Sequence, residues 1–343
     1  MSDPRPPLAP RTILVYVGLD RVGDSLLKLP FVRGLRQAFP EAHITWVAGK
    51  DTSVYATVMA PVVRGLIDEV IERAGIGLDP LELLRRPLGG RRFDLVIDSQ
   101  RVALASLALL RIPCRWRISP FARFLFSTVK PAKTYRFPKT MLRQMLDLLE
   151  LASGQSFPSP AFIALPIDEA QDKDAAGLLP PGPLYIGIAP GAGGLPKCWP
   201  LERFAQLANA QRDKGRVPVF LLGPAEIDWQ TKLEALAQGA LFPLQAPGVR
   251  ERHGFSPLFT VALGRRLAAA IANDSGVGHM LAATGRPLVS LFGPTSPAKF
   301  TPMTDRLVLV TAQSFGGREM ERIPLHAALE ALETALQSDA PAA

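Results

Sequence analysis

The segment from Leu267 to Pro294 constrains the fold of this chain more than any other stretch. Its pattern predicts a buried strand, a polar elbow, a helix and a second buried strand, over Leu267–Ala272, Asn273–Gly276, the residues around His279, and Leu288–Phe292. Two apolar runs joined by a helical crossover are typical of a parallel α/β unit. In such sheets ligands bind beyond the carboxyl ends of the strands, so the elbow is a candidate binding site.

The elbow residues suit a nucleotide or a phosphate. Asp274 can accept a hydrogen bond from a ribose hydroxyl, while Ser275 and Gly276 open a helix whose free N–H groups favour an anion. The alternative is that Asp274 or Ser275 only caps the helix. Local spacing does not separate these two interpretations.

Length and composition indicate two globular domains in a reducing compartment. The chain has 343 residues, of which 48% are hydrophobic and 20% charged. Its two cysteines, Cys114 and Cys198, have neither metal nor disulfide spacing. The first residues contain an acidic side chain and several prolines, which is a poor signal peptide, and no apolar run reaches the ~20 residues of a membrane span. These features predict a cytoplasmic protein.

The positive charge is concentrated in the first half. Residues 1–155 carry 23 Lys/Arg against 14 Asp/Glu, and residues 101–143 carry ten Lys/Arg with no acid. Six aromatic residues are interleaved with these cations, a mixture that fits a membrane surface, a phosphorylated glycolipid or nucleic acid. The plain alternative is a solvated loop over core aromatics. We favour an anionic acceptor, with these candidate contacts: Arg115, Arg117, Arg123, Lys130 and Lys133.

Strand and helix patterns alternate along both halves. Buried strands are predicted at Thr12–Gly18, His43–Ala48, Phe93–Asp98, Leu184–Ala189, Val217–Leu222 and Leu307–Val310, with short strands at Ile67–Ile71 and Phe242–Leu244. Between the halves, residues 153–183 are rich in Pro, Gly and Ser, as linkers are. The predicted organisation is a first domain over residues 1–155, a linker over 156–183 and a second domain over 184–343.

Asp24 follows the first strand and opens a helical pattern, where a cleft forms in this kind of sheet. A lone carboxylate there can act as a general base or as a helix cap, and its position alone favours the cap. Pro30, inside the same pattern, predicts a kink or a late helix start. Asp172-Lys173-Asp174 matches a D-x-D metal motif, but it lies in a charged helical run away from any strand end, so we reject a metal site there.

Several ordered motifs resemble glycosyltransferase family 9, the ADP-heptose:lipopolysaccharide heptosyltransferases. They are NDSGVGHMLAATGRPLVSLFGPT near the C-terminus, Gly23-Asp24 with LPFVRGLRQAFP after it, and PGAGGLPKCWPLERFAQL after the strand at Leu184–Ala189. The resemblance covers most of the chain. One departure is Phe315–Met320, which lacks the cysteine that many members have in this segment, and it leaves the subfamily and the donor sugar open.

The resemblance implies a GT-B fold, with two doubly wound parallel-sheet (Rossmann-like) domains facing a central cleft. It implies an inverting, metal-independent transfer of a heptose or related sugar from an ADP-sugar to a lipopolysaccharide core or similar anionic glycan. Asp24 would be the catalytic base in the N-terminal, acceptor-binding domain. The C-terminal domain would bind the donor through these residues: Lys197, Glu226, Asp274, Ser275, Gly276 and His279.

The donor is then a substrate, and no cofactor, metal or nucleic-acid partner is expected. Two other classes stay open: a GT-B nucleotide-sugar epimerase, and a non-enzymatic binder of anionic ligands. The location would be the cytoplasm, with peripheral contact with the cytoplasmic face of the inner membrane as a further option.

Overall fold

The computed structural model describes residues 8–337. The chain divides between Pro160 and Ala161 into two compact units. Each unit is built on a five-stranded sheet whose strand pairs are all parallel. The predicted linker spans this division, and part of it forms a helix, Glu169–Leu178, in the second unit.

The first sheet has the strand order β3-β2-β1-β4-β5. Its strands are β1 (Thr12–Val17), β2 (His43–Ala48), β3 (Glu69–Ile71), β4 (Phe93–Asp98) and β5 (Cys114–Ile118). The helices of this unit are α1 (Val22–Ala38), α2 (Ala60–Val63), α3 (Ala103–Leu109) and α4 (Met141–Ser153). The strand order reverses between β1 and β4. Ligands of such sheets bind beyond the carboxyl ends of the two strands at this reversal, and we call this place the crevice position.

The second sheet has the order β10-β9-β8-β6-β7. Its strands are β6 (Tyr185–Ala189), β7 (Val217–Phe220), β8 (Ala269–Asn273), β9 (Leu288–Phe292) and β10 (Leu307–Thr311). The helices are α5 (Glu169–Leu178), α6 (Leu201–Asp213), α7 (Gln230–Leu236), α8 (Val249–His253), α9 (Pro257–Gly264), α10 (Gly276–Ala282), α11 (Pro297–Phe300) and α12 (Leu325–Gln337). Here the reversal lies between β6 and β8.

Alternate residues of the central strands pack on opposite faces of the second sheet. Ile186 and Ile188 of β6 belong to one buried cluster, with residues of α6 and α12. Tyr185 and Ala189 of the same strand belong to the other, with residues of α5 and α9. Because both faces are covered by helices, the strands consist of nearly continuous apolar residues, which is why the sequence pattern reveals them.

Two local predictions differ from the structure, and one strand was missed. The segment at Phe242–Leu244 is not a strand: Pro243–Gln245 forms a 3-10 turn, and Pro243 cannot donate to a sheet. The edge strand β5 was not predicted, because its sequence CRWRI alternates cations with apolar residues and has no continuous apolar run. Helix α1 begins at Val22, so a late start at Pro30 is wrong. Burial of Ser25–Leu29, Phe31 and Val32 offsets the roughly 3 kcal/mol that an internal proline costs.

Within residues 8–337, no helix combines the length and the apolar character that a bilayer span requires.

Candidate functional site

Asn273 ties together two loops at the point where the strand order of the second sheet reverses. It is the last residue of β8, and its side chain is fully buried. Its Oδ1 accepts a hydrogen bond from the Trp199 amide at 3.1 Å, and its Nδ2 donates to the Pro190 carbonyl at 2.7 Å. The loop that follows β6 is therefore fixed against the end of β8.

Asp274 holds the side chain of Lys197 within this arrangement. The Nζ of Lys197 lies 3.2 Å from Asp274 Oδ2, and the Thr295 hydroxyl donates to the same oxygen at 2.6 Å. The Asp274 side chain is buried, whereas about a third of the Lys197 side chain is exposed. The lysine charge is thus anchored on one side and accessible on the other.

Ser275 is the N-cap of α10, because its hydroxyl accepts from the Gly278 amide at 3.2 Å. The alternative that Asp274 caps this helix is wrong, since its carboxylate is bonded to Lys197 and Thr295 instead. Helix α10 begins at Gly276 and has only seven residues. Its dipole is therefore a small contribution, and Lys197 is the main positive charge of this loop cluster.

His279 lies on α10 with its ring buried. Burial lowers the pKa of His279 to about 4, while the nearby Asp274 carboxylate raises it less. The imidazole is neutral at physiological pH. Its Nδ1 has no hydrogen-bond partner within the described part of the chain. A buried polar atom of this kind calls for an explanation, and an incoming ligand is one.

Glu226 follows β7 and is buried beside the same loops. Its carboxylate packs so closely on Gly191 and Gly223 that a Cβ at either glycine would collide with it. Burial raises the pKa of Glu226, and hydrogen bonds from the Gly223 and Glu226 amides oppose this. Gly191, after β6, and Gly223, after β7, therefore make room for the Glu226 carboxylate.

Asp24 lies in the first turn of α1, beyond the end of β1, and is half-buried. The N-cap position is Arg21, which makes no side-chain capping bond, so Asp24 is not the cap of this helix. Asp24 sits at the crevice position of the first sheet, as the sequence predicts, while the other candidates above belong to the second unit.

Asp20 and Lys28 form a buried ion pair next to Asp24 that sequence reasoning missed. The Lys28 ammonium donates to Asp20 Oδ1. The second oxygen of Asp20 accepts from Trp46 Nε1 at 2.6 Å and from the Ser53 hydroxyl at 2.9 Å. This network fixes the turn between β1 and α1. The only sequence signal for this ion pair is that Asp20 and Lys28 lie on either side of the turn.

The predicted acceptor cations do not share one environment. Arg115 and Arg117 lie on β5, where the Arg115 guanidinium stacks over Trp116 at 4.2 Å and Arg117 donates to the Ile112 carbonyl at 2.7 Å. Arg123 lies within Ala122–Phe124, three successive residues with positive φ. Arg115, Arg123, Lys130 and Lys133 are exposed. Arg117 is engaged internally, so it is the weakest of the five candidates.

The Asp172–Asp174 segment lies in α5, as the rejection of a metal motif assumed. Asp174 accepts from Arg252 Nε at 2.7 Å and lies 2.8 Å from His253 Nε2. These contacts hold its pKa below the usual range. Across residues 8–337, no group of three His, Cys, Asp or Glu side chains could hold a metal ion.

Residues 82–322 match the model of glycosyltransferase family 9 (heptosyltransferase). The chain belongs to this family. This family 9 member is therefore a glycosyltransferase, and the non-enzymatic alternative is wrong. The recognition made from the motifs is confirmed.

Three relatives illustrate the match. The lipooligosaccharide heptosyltransferase 2 of Haemophilus influenzae is 33% identical over 314 residues, covering 87% of this chain and 88% of that protein. A family 9 glycosyltransferase from Veillonella parvula superposes with a TM-score of 0.73 at 21% identity, covering 97% and 99%. An Escherichia coli heptosyltransferase solved with ADP-2-deoxy-2-fluoro heptose gives 0.63 at 18% identity, covering 94% and 99%. These structures confirm the predicted fold class, GT-B with two doubly wound parallel-sheet domains.

Proposed function

We propose that this family 9 glycosyltransferase transfers a heptose from ADP-heptose to a lipopolysaccharide-type core, with inversion at the anomeric carbon. The observation that carries the proposal is the loop cluster of the second unit, where Lys197 is anchored on Asp274 and still accessible. Heptosyltransferase relatives and a structural neighbour solved with an ADP-heptose analogue support the same donor.

The leaving ADP requires positive charge at its diphosphate as the bond to the sugar breaks. Lys197 supplies it as a point charge, and the amides of Ser275 and Gly276 lie at the start of α10 beside it. Because Asp274 already holds the Lys197 side chain in place, the side chain loses little conformational entropy when a phosphate binds. The ammonium can therefore stabilise the negative charge that develops on the diphosphate. This arrangement supplies positive charge without a metal ion, and we propose a metal-independent reaction.

Glu226 and His279 complete the donor site in this proposal. Glu226 is buried against Gly191 and Gly223, and one of its oxygens would accept from a ribose hydroxyl. His279 is neutral, and its unpartnered Nδ1 would bond a donor phosphate or sugar hydroxyl, directly or through a water. An uncharged imidazole suits a hydroxyl or a water because it can accept as well as donate.

Asp24 is proposed as the catalytic base. Its carboxylate would take the proton of the acceptor hydroxyl as that oxygen attacks C1 of the heptose. As the new bond to C1 forms, the bond between C1 and the β-phosphate oxygen breaks with its electron pair leaving on ADP, and attack from the opposite side inverts the configuration. The first unit would bind the acceptor through the exposed side chains of Arg115, Arg123, Lys130 and Lys133, without the inward-turned Arg117, and the second would bind the donor. The proposed boundaries are residues 1–155, 156–183 and 184–343.

A water-soluble sugar nucleotide and a membrane glycolipid meet only at a membrane surface. We therefore propose that the protein works in the cytoplasm, at the inner face of the membrane that carries the acceptor. The partners are then the sugar nucleotide and an anionic glycolipid.

The decisive experiment is incubation of the purified protein with ADP-heptose and a panel of truncated lipopolysaccharide cores. We expect a product only when a core is present, undiminished by a chelator, with an inverted linkage seen by NMR. Asp24→Asn should abolish turnover and keep ADP binding in calorimetry. The exposed Asp51→Asn, in the same unit, is the matched control and should stay active. Isomerisation of the donor without an acceptor would contradict the proposed transfer.

A further inference from the structure

Residues 77–84 form a rigid projection at the surface of the first unit. Pro80–Leu84 is a 3-10 helix capped by Asp79. The Glu82 carboxylate accepts from the amides of Gly77, Leu78 and Asp79 at 2.5, 3.0 and 3.0 Å. Upstream, the Tyr16 hydroxyl donates to the Ile76 carbonyl at 2.7 Å. The projection is thus pinned to the core at its base and by its own buried carboxylate.

Three leucines of this projection point away from the core. Leu78, Leu81 and Leu84 are 59%, 57% and 76% exposed. Side chains three residues apart in a 3-10 helix lie on one side, so Leu81 and Leu84 present a common apolar surface. Leu83, in contrast, packs against the buried cluster of the first sheet. A concentration of exposed leucines on an ordered segment marks an interaction site.

Two cations directly follow these leucines. Arg85 and Arg86 are exposed, and neither has an ion-pair partner within residues 8–337. The two acidic side chains of the segment already accept hydrogen bonds from its backbone. Glu82 accepts from three amides, and Asp79 accepts from the Leu81 amide. Apolar side chains next to unpaired arginines fit the interface of an anionic bilayer, where leucines enter the acyl boundary and arginines meet phosphates. A second copy of the chain is disfavoured, because the contact would bring arginines against arginines.

We propose that Leu78, Leu81 and Leu84, with Arg85 and Arg86, form a docking surface for an anionic lipid membrane. This leucine surface lies outside the basic and aromatic segment over residues 101–143. It binds lipid by partial insertion of three side chains, with the adjacent arginines on the headgroups.

Binding to a membrane through this surface would bring the enzyme to a membrane-borne acceptor. The projection begins near the carboxyl edge of the first sheet, where the Ile76 amide donates to the Gly49 carbonyl, and it extends to Arg111, just before β5, which donates to the Leu83 carbonyl. This consequence rests on the proposed function, whereas lipid binding itself does not.

The test is co-sedimentation of the full chain with vesicles of phosphatidylcholine, alone or mixed with phosphatidylglycerol. We expect binding to the mixed vesicles that weakens with salt. Leu78→Ser/Leu81→Ser/Leu84→Ser should reduce the partition coefficient at least tenfold, since burial of a single leucine is worth about that factor. Arg85→Gln/Arg86→Gln should remove the preference for the anionic lipid. Leu184→Ser, at a residue 57% exposed in the second unit, is the matched control and should bind as wild type.

Thermal melts of each variant establish that the fold is intact. The proposal is overturned if the wild type does not bind mixed vesicles, if the triple leucine variant binds them undiminished, or if Arg123→Gln/Leu125→Ser alone removes binding. In turnover assays, the triple variant should lose activity on a vesicle-embedded core and keep it on a delipidated one. If neither core is ever glycosylated, the proposed function fails while the vesicle result still decides the docking surface.

Discussion

Lys197 Nζ lies 3.2 Å from Asp274 Oδ2, although the two residues are 77 positions apart in the chain. Asn273 brings them together by bonding to the backbone on both sides of the glycine loop. Because Thr295 donates to the same carboxylate oxygen, the pair is oriented before any ligand arrives. The site is therefore preorganised from three separate segments of the second unit, and its members can be tested one at a time.

Lys197→Met should lower kcat/KM for the sugar nucleotide by about 10²-fold, because the leaving diphosphate loses its main positive charge. The free energy of unfolding should fall by about 1–2 kcal/mol, because the buried Asp274 carboxylate then keeps only its bond from Thr295. Steady-state kinetics and urea unfolding measure the two effects. Lys214→Met removes an exposed ion pair with Glu333 in the same unit and should leave the kinetics unchanged. Equal kinetics for both variants would remove Lys197 from the donor site.

Lys28→Met should destabilise the protein by about 3 kcal/mol, because it leaves the Asp20 carboxylate buried without its cation. Adding Asp20→Asn should restore at least about 1 kcal/mol, since the unpaired charge is then gone. Urea unfolding of the wild type, the two single variants and the double variant gives the coupling free energy between Asp20 and Lys28. Arg91→Met, which breaks the more exposed Arg91–Glu69 pair, should cost less than about 1 kcal/mol. Purely additive effects of Asp20→Asn and Lys28→Met would contradict the coupling.

Gly191→Ala should weaken donor binding, because the new methyl group displaces the Glu226 carboxylate from its place against the loop. We expect an increase of about tenfold in the Kd for ADP, equivalent to one lost hydrogen bond to a charged group. Titration calorimetry measures it. Gly193→Ala, in the same loop with no atom within 4 Å of the added Cβ, is the control and should bind normally. Unchanged ADP affinity in Gly191→Ala would place Glu226 outside the nucleotide site.

Acidification should destabilise the second unit through His279, whose folded pKa is lowered to about 4 by burial. An unfolded histidine titrates near 6.5, so between these pH values the unfolded chain binds the additional proton. The free energy of unfolding then falls as the pH falls through this window, by roughly 3 kcal/mol at its lower end.

Urea unfolding at several pH values between about 4 and 7 measures this effect. In His279→Gln, which cannot be protonated there, the fall should be smaller by that amount. His326→Gln, at an exposed position, is the control and should follow the wild type. The same pH profile in wild type and His279→Gln would show that the buried ring does not contribute.

The buried strands and the order of elements follow from the sequence alone, with His43–Ala48, Phe93–Asp98 and Leu288–Phe292 predicted at their observed bounds. A strand covered on both faces must be continuously apolar, so its pattern is local and strong. The candidates Asp24, Lys197 and Asp274 were also visible, because they directly follow strands or occur in ordered motifs.

Only the tertiary structure decided which of these side chains meet. It paired Lys197 with Asp274, put Glu226 against Gly191, turned Arg117 inward, and joined Asp20 to Lys28 in the core. It also revealed that Leu78, Leu81 and Leu84 stay exposed while Leu83 packs inside. Contacts between residues distant in sequence depend on how strands are ordered and where loops cross. No local pattern of residues encodes these partners, whereas a run of apolar residues encodes its own burial.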